Sequence, residues 1–228
     1  MRLKNKGTTA AKIDRLREQA KAGNIYALAT LAYLYRYGHK VAENKRLALR
    51  YSVRAASLGD AESAFNVGDM YDSGEGARRN SRRALAYYVI AAKRGHSDAI
   101  ASIGAKYWYG EGVRRDRKTA ISLYRKAARL GSPDALYNLG QVYMAGEGVP
   151  RNLAKAFTYF EGAAKRGHIR AEFRTGEAYL FGAGTARDRN KGLRWVRKAA
   201  NDGDLDALAL LDRVGVKPSR PSTTRHPE

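Results

Sequence analysis

Glycine recurs through this chain with a fixed period. Gly23, Gly59, Gly95, Gly131, Gly167 and Gly203 stand 36 residues apart without a slip. Other columns keep the same phase: Tyr35, Tyr71, Tyr107, Tyr143 and Tyr179, then Gly38, Gly74, Gly110, Gly146 and Gly182. Ala-Ala pairs recur at 55–56, 91–92, 127–128, 163–164 and 199–200. A period in this range marks an array of supersecondary units, each unable to bury its apolar face alone and therefore stacked on its neighbours. The spacing predicts five units, 24–59, 60–95, 96–131, 132–167 and 168–203.

Within a unit the pattern is that of two helices, A and B. In the third, Ala99, Ile103, Gly104 and Tyr107 form an apolar stripe at helical spacing. The run Tyr109-Gly110-Glu111-Gly112-Val113 ends it, because paired glycines permit left-handed backbone. Helix B opens at the column Asn44, Asn80, Asp116, Asn152 and Asp188, whose side-chain oxygens suit an N-cap. It then buries Ala120, Ile121, Tyr124, Ala127 and Ala128. The ends read as half-units that cover the open faces of the array. Residues 10–23, with Ile13, Leu16 and Ala20, are expected to form an N-terminal capping helix; residues 204–216, with Leu205, Ala207, Leu208 and Leu211, a C-terminal one. Residues 1–9 are expected to be flexible, and the Pro-, Ser- and Thr-rich stretch 217–228 disordered.

The fourth unit, residues 135–167 (ALYNLGQVYMAGEGVPRNLAKAFTYFEGAAKRG), resembles a Sel1-like repeat. That family is related to the tetratricopeptide repeat, and its longer inter-helix loop carries a Gly-x-Gly signature; the 36-residue period fits it better than the roughly 34 residues of the tetratricopeptide unit. The resemblance covers residues 24–203. It implies an all-α fold, a right-handed α/α superhelical solenoid, with helix A lining a concave groove that receives partner segments and helix B on the convex side. Two units depart from the pattern. Repeat 1 reads Gly38-His39-Lys40, without the second glycine, and repeat 5 carries Thr175 and Gly192 where other units have larger apolar residues or Ala.

Catalytic chemistry finds little support. Without cysteine, disulfide scaffolds, thiol catalysis and cysteine-based zinc sites are excluded. The histidines are His39, His96, His168 and His226. His96 and His168 share a column with Asp60, Ser132 and Asp204 at the start of helix A, which predicts local capping or a solvated position rather than metal binding. No His-Glu-x-x-His, Ser-x-x-Lys or Gly-x-Ser-x-Gly occurs. The Gly-Glu-Gly loops at 74–76, 110–112 and 146–148 follow helices, not strands, and read as inter-helix turns rather than phosphate cradles. Most of the 15 tyrosines fall in packing columns. No catalytic residue, metal or cofactor is expected. Residues 1–21 lack the apolar run of a leader or anchor, and no apolar stretch reaches 18 residues, so the expectation is a soluble, cytoplasmic, monomeric protein.

The surface carries the functional expectation. On helix A the face away from the packing stripe varies freely from unit to unit. Its candidate partner-binding residues are Tyr26, Thr30, Tyr33 and Tyr37 in repeat 1; Glu62, Asn66 and Asp69 in repeat 2; Asp98, Ser102 and Tyr109 in repeat 3; Asn138 and Gln141 in repeat 4; and Arg174 in repeat 5. Lys and Arg total 43 against 22 Asp and Glu, a net charge of +21. This charge is one-sided, since the helix A windows are net negative and the helix B windows strongly positive. Cations near helix B C-termini suit the helix dipole. Arg78, Arg79, Arg82, Arg83, Arg114, Arg115, Arg117 and Lys118 lie instead around helix B N-termini and form a candidate edge for an anionic partner. The reading is therefore a non-enzymatic adaptor that, as the resemblance implies, binds a protein or peptide in its concave helix A groove and helps assemble or regulate a complex. The alternative is a nucleic-acid-associated or anionic-surface-binding protein working through the basic edge.

Overall fold

A computed structural model describes residues 4–217. Among these residues all regular structure is helical. Helix α1 (Lys4–Lys21) precedes five A/B pairs: α2 (Ile25–Tyr37) and α3 (Lys45–Ser57), α4 (Ala61–Ser73) and α5 (Ser81–Lys93), α6 (Ser97–Tyr109) and α7 (Arg117–Arg129), α8 (Pro133–Ala145) and α9 (Leu153–Ala164), α10 (Ile169–Phe181) and α11 (Arg189–Asn201). Helix α12 (Leu205–Arg213) follows. The fold class is the all-α helical repeat expected. Helix α1 starts at Lys4 rather than at 10, taking in most of the stretch expected to be flexible. Residues 4–9 (KNKGTT) carry no apolar periodicity, so spacing alone could not place the helix start. The tail expected to be disordered lies, beyond Lys217, outside the described residues.

Contacts group the chain into two compact units, Met1–Ala120 and Ile121–Glu228. In the first, each of α1 to α5 packs on the next helix in the chain; in the second, each of α8 to α11 does so. The core of the first unit holds Ile13, Leu28, Leu31, Leu34, Leu49, Val67 and Met70. That of the second includes Phe160 with Tyr143, and Phe173, Val196, Leu210 and Leu211. Each wholly buried Leu contributes about 2 kcal/mol by removal from water.

The helix ends follow one scheme. Helix A starts at Asn24, Asp60, His96, Ser132 and His168, and α12 at Asp204; each side chain accepts the amide three residues on. Helix A stops at glycines 38, 74, 110, 146 and 182, whose φ lies between 66° and 82°. The amide after the glycine bonds the carbonyl five residues back, as from Glu75 to Met70 and Glu111 to Lys106, which satisfies carbonyls that the helix leaves open. The loop closes where Asn44, Asn80, Asp116, Asn152 and Asp188 donate their amides to the carbonyls of the tyrosine column at 2.8–2.9 Å. The side chains of the same five residues cap helix B.

Two glycine columns set the packing distances. The second loop glycine lies against the first turn of the preceding helix B. A Cβ on Gly76 would overlap the Lys45 carbonyl, and one on Gly184 the Leu153 carbonyl. Repeat 1 keeps the left-handed turn with Lys40, at φ 63°, beside an open cleft lined by Thr9, Ile13 and Arg17 of α1. The other column lies between A and B of one repeat. A Cβ on Gly68 would come within 2.5 Å of the Tyr88 ring, and one on Gly140 equally close to Phe160. Repeat 1 lacks the exchange, with Ala32 opposite the small, buried Ser52.

Repeat 5 departs in its core as well as in its sequence. Glu172 stands in the column of Leu28, Ala64, Ile100 and Leu136, yet it is wholly buried. Its Oε1 pairs with Lys198, while Oε2 and the buried Thr175 hydroxyl have no partner. Gly192 leaves the room that the Leu180 side chain fills.

Gly76→Ala should lower stability by about 3 kcal/mol, a left-handed alanine plus a backbone clash that no side-chain motion relieves. Gly95→Ala, with φ 86° but open space around its Cβ, should cost only about 1 kcal/mol. Denaturant melts of the two variants check the contrast. Glu172→Leu should raise stability by about 1–2 kcal/mol, because it removes a half-paired buried carboxylate and leaves the half-exposed Lys198 in water.

Candidate partner-binding face and its clefts

The helix A face was the sequence candidate, and the structure distributes its residues unevenly. Tyr26, Tyr33 and Tyr37 on α2 are 76%, 56% and 59% exposed, which for large aromatic side chains is a cost unless something covers them. The Tyr33 and Tyr37 rings lie 4.9 Å apart, and the Arg36 guanidinium sits 5.6 Å from the Tyr37 centroid. Beside them opens a cleft of about 370 Å³ between α2, α3 and α4. Ala29, Ala32, Ser52 and Ser63 line it with Tyr33, Tyr37, Arg36, Glu62 and Asn66. Four predicted residues are thus brought together, whereas Tyr26 and Thr30 stay outside it.

The origin of the cleft is the missing ring volume of repeat 1. At the equivalent places repeat 2 has Phe65 and Tyr88, 5.8 Å apart, and repeat 4 has Tyr137 and Phe160, 5.7 Å apart. Repeat 1 has Ala29 and Ser52, and the volume of two rings is left unfilled. Ala29, Ala32, Ser52 and Arg36 were not among the sequence candidates. The signal that could have found them is the departure of repeat 1 from its own packing columns.

Polar groups on the rim are ordered. Arg36 donates from Nε to Glu75 at 2.8 Å and from a terminal nitrogen to Asn66 at 3.3 Å. Asn66 donates to Glu62 at 3.4 Å. Asp69 is drawn into the packing instead, accepting the Tyr88 hydroxyl at 2.8 Å. Burial, with the Asp69 charge beside it, pushes the Tyr88 phenol well above its ordinary range. Asp98 and Ser102 are half-buried, and Tyr109 is 69% exposed at the end of α6.

The second unit has a cleft of its own, about 190 Å³, between α8, α9 and α10. It is lined mainly by Met144, Leu153, Phe157, Phe160 and Phe181, with the Arg174–Glu177 ion pair (2.7 Å) at its edge. Of the predicted residues only Arg174 lines it. Asn138 and Gln141 do not, and the Gln141 amide oxygen is enclosed without a partner.

Half of the basic edge serves the fold. Arg79 and Arg115 donate from Nε to the carbonyls of Asp72 and Trp108 near the ends of their A helices, and Arg151 and Arg187 repeat that bond in unit two. Arg83 lies 5.5 Å from the Tyr71 ring centre and Arg117 5.1 Å from that of Trp108. Arg78, Arg82, Arg114 and Lys118 remain fully at the surface. The tyrosine column stacks face to face on helix B residues, as in Tyr71–Tyr87 and Tyr143–Tyr159.

The two column histidines are caps. Nδ1 of His96 accepts the Ala99 amide at 3.2 Å, so the ring is neutral with its proton on Nε2, which donates to Glu62 at 3.1 Å. The ring also stacks on Phe65 at 4.4 Å. His168 repeats the arrangement, capping Ala171, stacking on Tyr137 and facing Asp134 at 3.6 Å. The Gly-Glu-Gly loops turn their carboxylates onto protein cations: Glu75 onto Arg36, and Glu111 onto Lys106 and Arg79. Among the described residues no helix is long and apolar enough to cross a membrane.

The Sel1 repeat family model matches residues 25–60, 61–96, 97–132, 133–168 and 169–204. The chain belongs to the Sel1 repeat family. A Sel1 repeat protein from Oxalobacter formigenes has a similar structure (TM-score 0.77, 28% identity over 89% of this chain and 58% of that one). So has a protective antigen of uropathogenic Escherichia coli described as displaying an SLR fold (TM-score 0.70, 27% identity, 91% of this chain and 45% of that one). This chain therefore spans about half the length of those two relatives. An immunity protein from Pseudomonas aeruginosa shares the fold at 20% identity (TM-score 0.63, 86% and 73% coverage). No curated protein sequence matches the chain significantly. The Sel1 repeat is a scaffold fold of the kind that mediates protein–protein contact.

Burial outweighs Asp134 and holds the His168 imidazole below its ordinary value of 6.5. Its neutral form is the capping form, so its contribution is complete above pH 6.5 and is lost as the pH falls through the lowered folded value. His168→Asn, which caps without titrating, should flatten that acid limb. Thermal melts between about pH 7.5 and pH 5 should show wild type losing about 1 kcal/mol more than the variant.

Proposed function

We propose that this protein is a non-enzymatic adaptor that holds a segment of a partner protein on the helix A face of its first unit. The observation that carries the reading is the unfilled cleft lined by two exposed tyrosines, Tyr33 and Tyr37. In the same columns repeats 2 and 4 place two rings, and repeats 3 and 5 place one, Tyr124 or Phe173. Repeat 1 places none and leaves Tyr26, Tyr33 and Tyr37 in water, an arrangement suited to an anchor supplied from outside. Tyrosine buries much area at a small entropic cost, and contacts of this kind dominate interfaces. The membership of the Sel1 repeat family favours the same reading, since that fold serves protein–protein contact.

Affinity capture with the full chain, after nuclease treatment, tests it. Ala32→Leu should fill the cleft from its wall, and Tyr33→Ala should remove an exposed anchor without touching the core. Each is expected to weaken retention of a specific partner by about 30-fold, the equivalent of about 2 kcal/mol, with helicity and melting temperature unchanged for Tyr33→Ala. If the same partners are retained equally by both variants, the cleft is not the binding site.

A further inference from the structure

We infer that the bound segment is cationic and seats an arginine side chain in the first-unit cleft, between the Tyr33 and Tyr37 rings and the Glu62 carboxylate. This rests on the adaptor reading above and adds the chemistry of the partner.

The argument is a census of charge on α2, α4 and α6. Their Lys and Arg residues are Arg36 and Lys106 alone, and neither is free. Arg36 is paired with Glu75 at 2.8 Å. Lys106 is buried, only 4% exposed, and is neutralised by Asp72 and by Glu111 at 2.7 Å. The acids outnumber them. Glu62 has 69% of its side chain exposed and accepts from Asn66 and from the His96 ring, whose Nδ1 takes the Ala99 amide. Asp98, one repeat further along the same column, makes no ion pair among the described residues, and its Oδ1 is enclosed without a hydrogen bond there. A face that cancels each of its cations and leaves carboxylates uncompensated attracts positive charge.

The chain as a whole has the opposite sign, +21. At physiological ionic strength charges more than about 8 Å apart are largely screened, so the acids of the face itself weigh most on what approaches it. Arginine fits better than lysine, since its planar group stacks on a tyrosine ring and forks onto a carboxylate. Arg36 already displays that combination from inside the protein, over Tyr37 and bonded to Glu75 and Asn66. The cleft, of about 370 Å³, has room for a second long side chain.

The test is a random-peptide display library panned on the full chain at about 150 mM salt, with counter-selection on Tyr33→Ala/Tyr37→Ala. Enriched peptides are expected to carry an arginine beside apolar residues. Measured by fluorescence anisotropy, they should lose at least about tenfold in affinity on Glu62→Lys/Asp98→Lys and a smaller factor on Glu62→Gln/Asp98→Asn, which removes the charge while keeping the side-chain shape. Replacing the peptide arginine by glutamate should abolish binding. Enriched peptides that need the tyrosines but are acidic or neutral, or that ignore the charge reversal, overturn the cationic assignment and leave the adaptor reading standing. If no peptide distinguishes wild type from the tyrosine double variant, both fall. Self-association of the chain that Glu62→Lys/Asp98→Lys abolishes, seen by sedimentation equilibrium, would put a second copy in place of the cationic segment.

Discussion

Helix A meets helix B in repeats 2 and 4 through a glycine pressed against an aromatic ring, and the rest of each hairpin depends on that contact. Gly68 under Tyr88 and Gly140 under Phe160 leave no room for even a methyl group. The ring replaces the side chain that the glycine lacks, so the pair fills space only as a pair. Gly176 takes up the same place against Val196. Repeat 1 breaks the rule by having Ala32 and Ser52, two small residues where one should be large. The cleft is the direct result of that missing volume, and it opens beside the tyrosines that no core contact uses.

A second constraint fixes the turn inside each repeat. Each inter-helix loop is closed by an amide on the tyrosine-column carbonyl, and in repeats 2 to 5 an arginine Nε bonds a carbonyl near the end of helix A. The arginines are thus part of the loop geometry, and their position at helix B N-termini, which the dipole disfavours, has a local explanation. The histidine caps, by contrast, join neighbouring repeats. Each occurs where the preceding A helix offers a ring for stacking, Phe65 or Tyr137, and an acid for Nε2, Glu62 or Asp134.

Much of this was legible in the chain. The glycine, tyrosine and Asn/Asp columns located the helix pairs, their caps and their turns, because each of these depends on residues within one repeat. The capping role of His96 and His168 followed from the company they keep in their column. The candidate face was legible only as a set of variable positions. Asp69 was among them, but its carboxylate belongs to the Tyr88 hydroxyl. Arg79 and Arg115 were read as surface charge, although a bond seven residues back in the chain holds each of them. The start of α1 was missed because a helical turn without an apolar stripe leaves no periodic trace.

By itself, the sequence determined the repeat, its length, the number of hairpins and the chemistry of their ends, since a period of 36 residues translates directly into identical local environments. Tertiary structure decided which of the variable residues act together. The first-unit cleft draws Ala29 and Ala32 from α2, Ser52 from α3 and Glu62 from α4, at separations that match no period. Whether a charge is free or cancelled was also decided in three dimensions, as Lys106 shows, buried between Asp72 and Glu111. The physical reason is that packing volume and electrostatic pairing depend on through-space neighbours, whereas helix formation and capping depend on residues a turn apart.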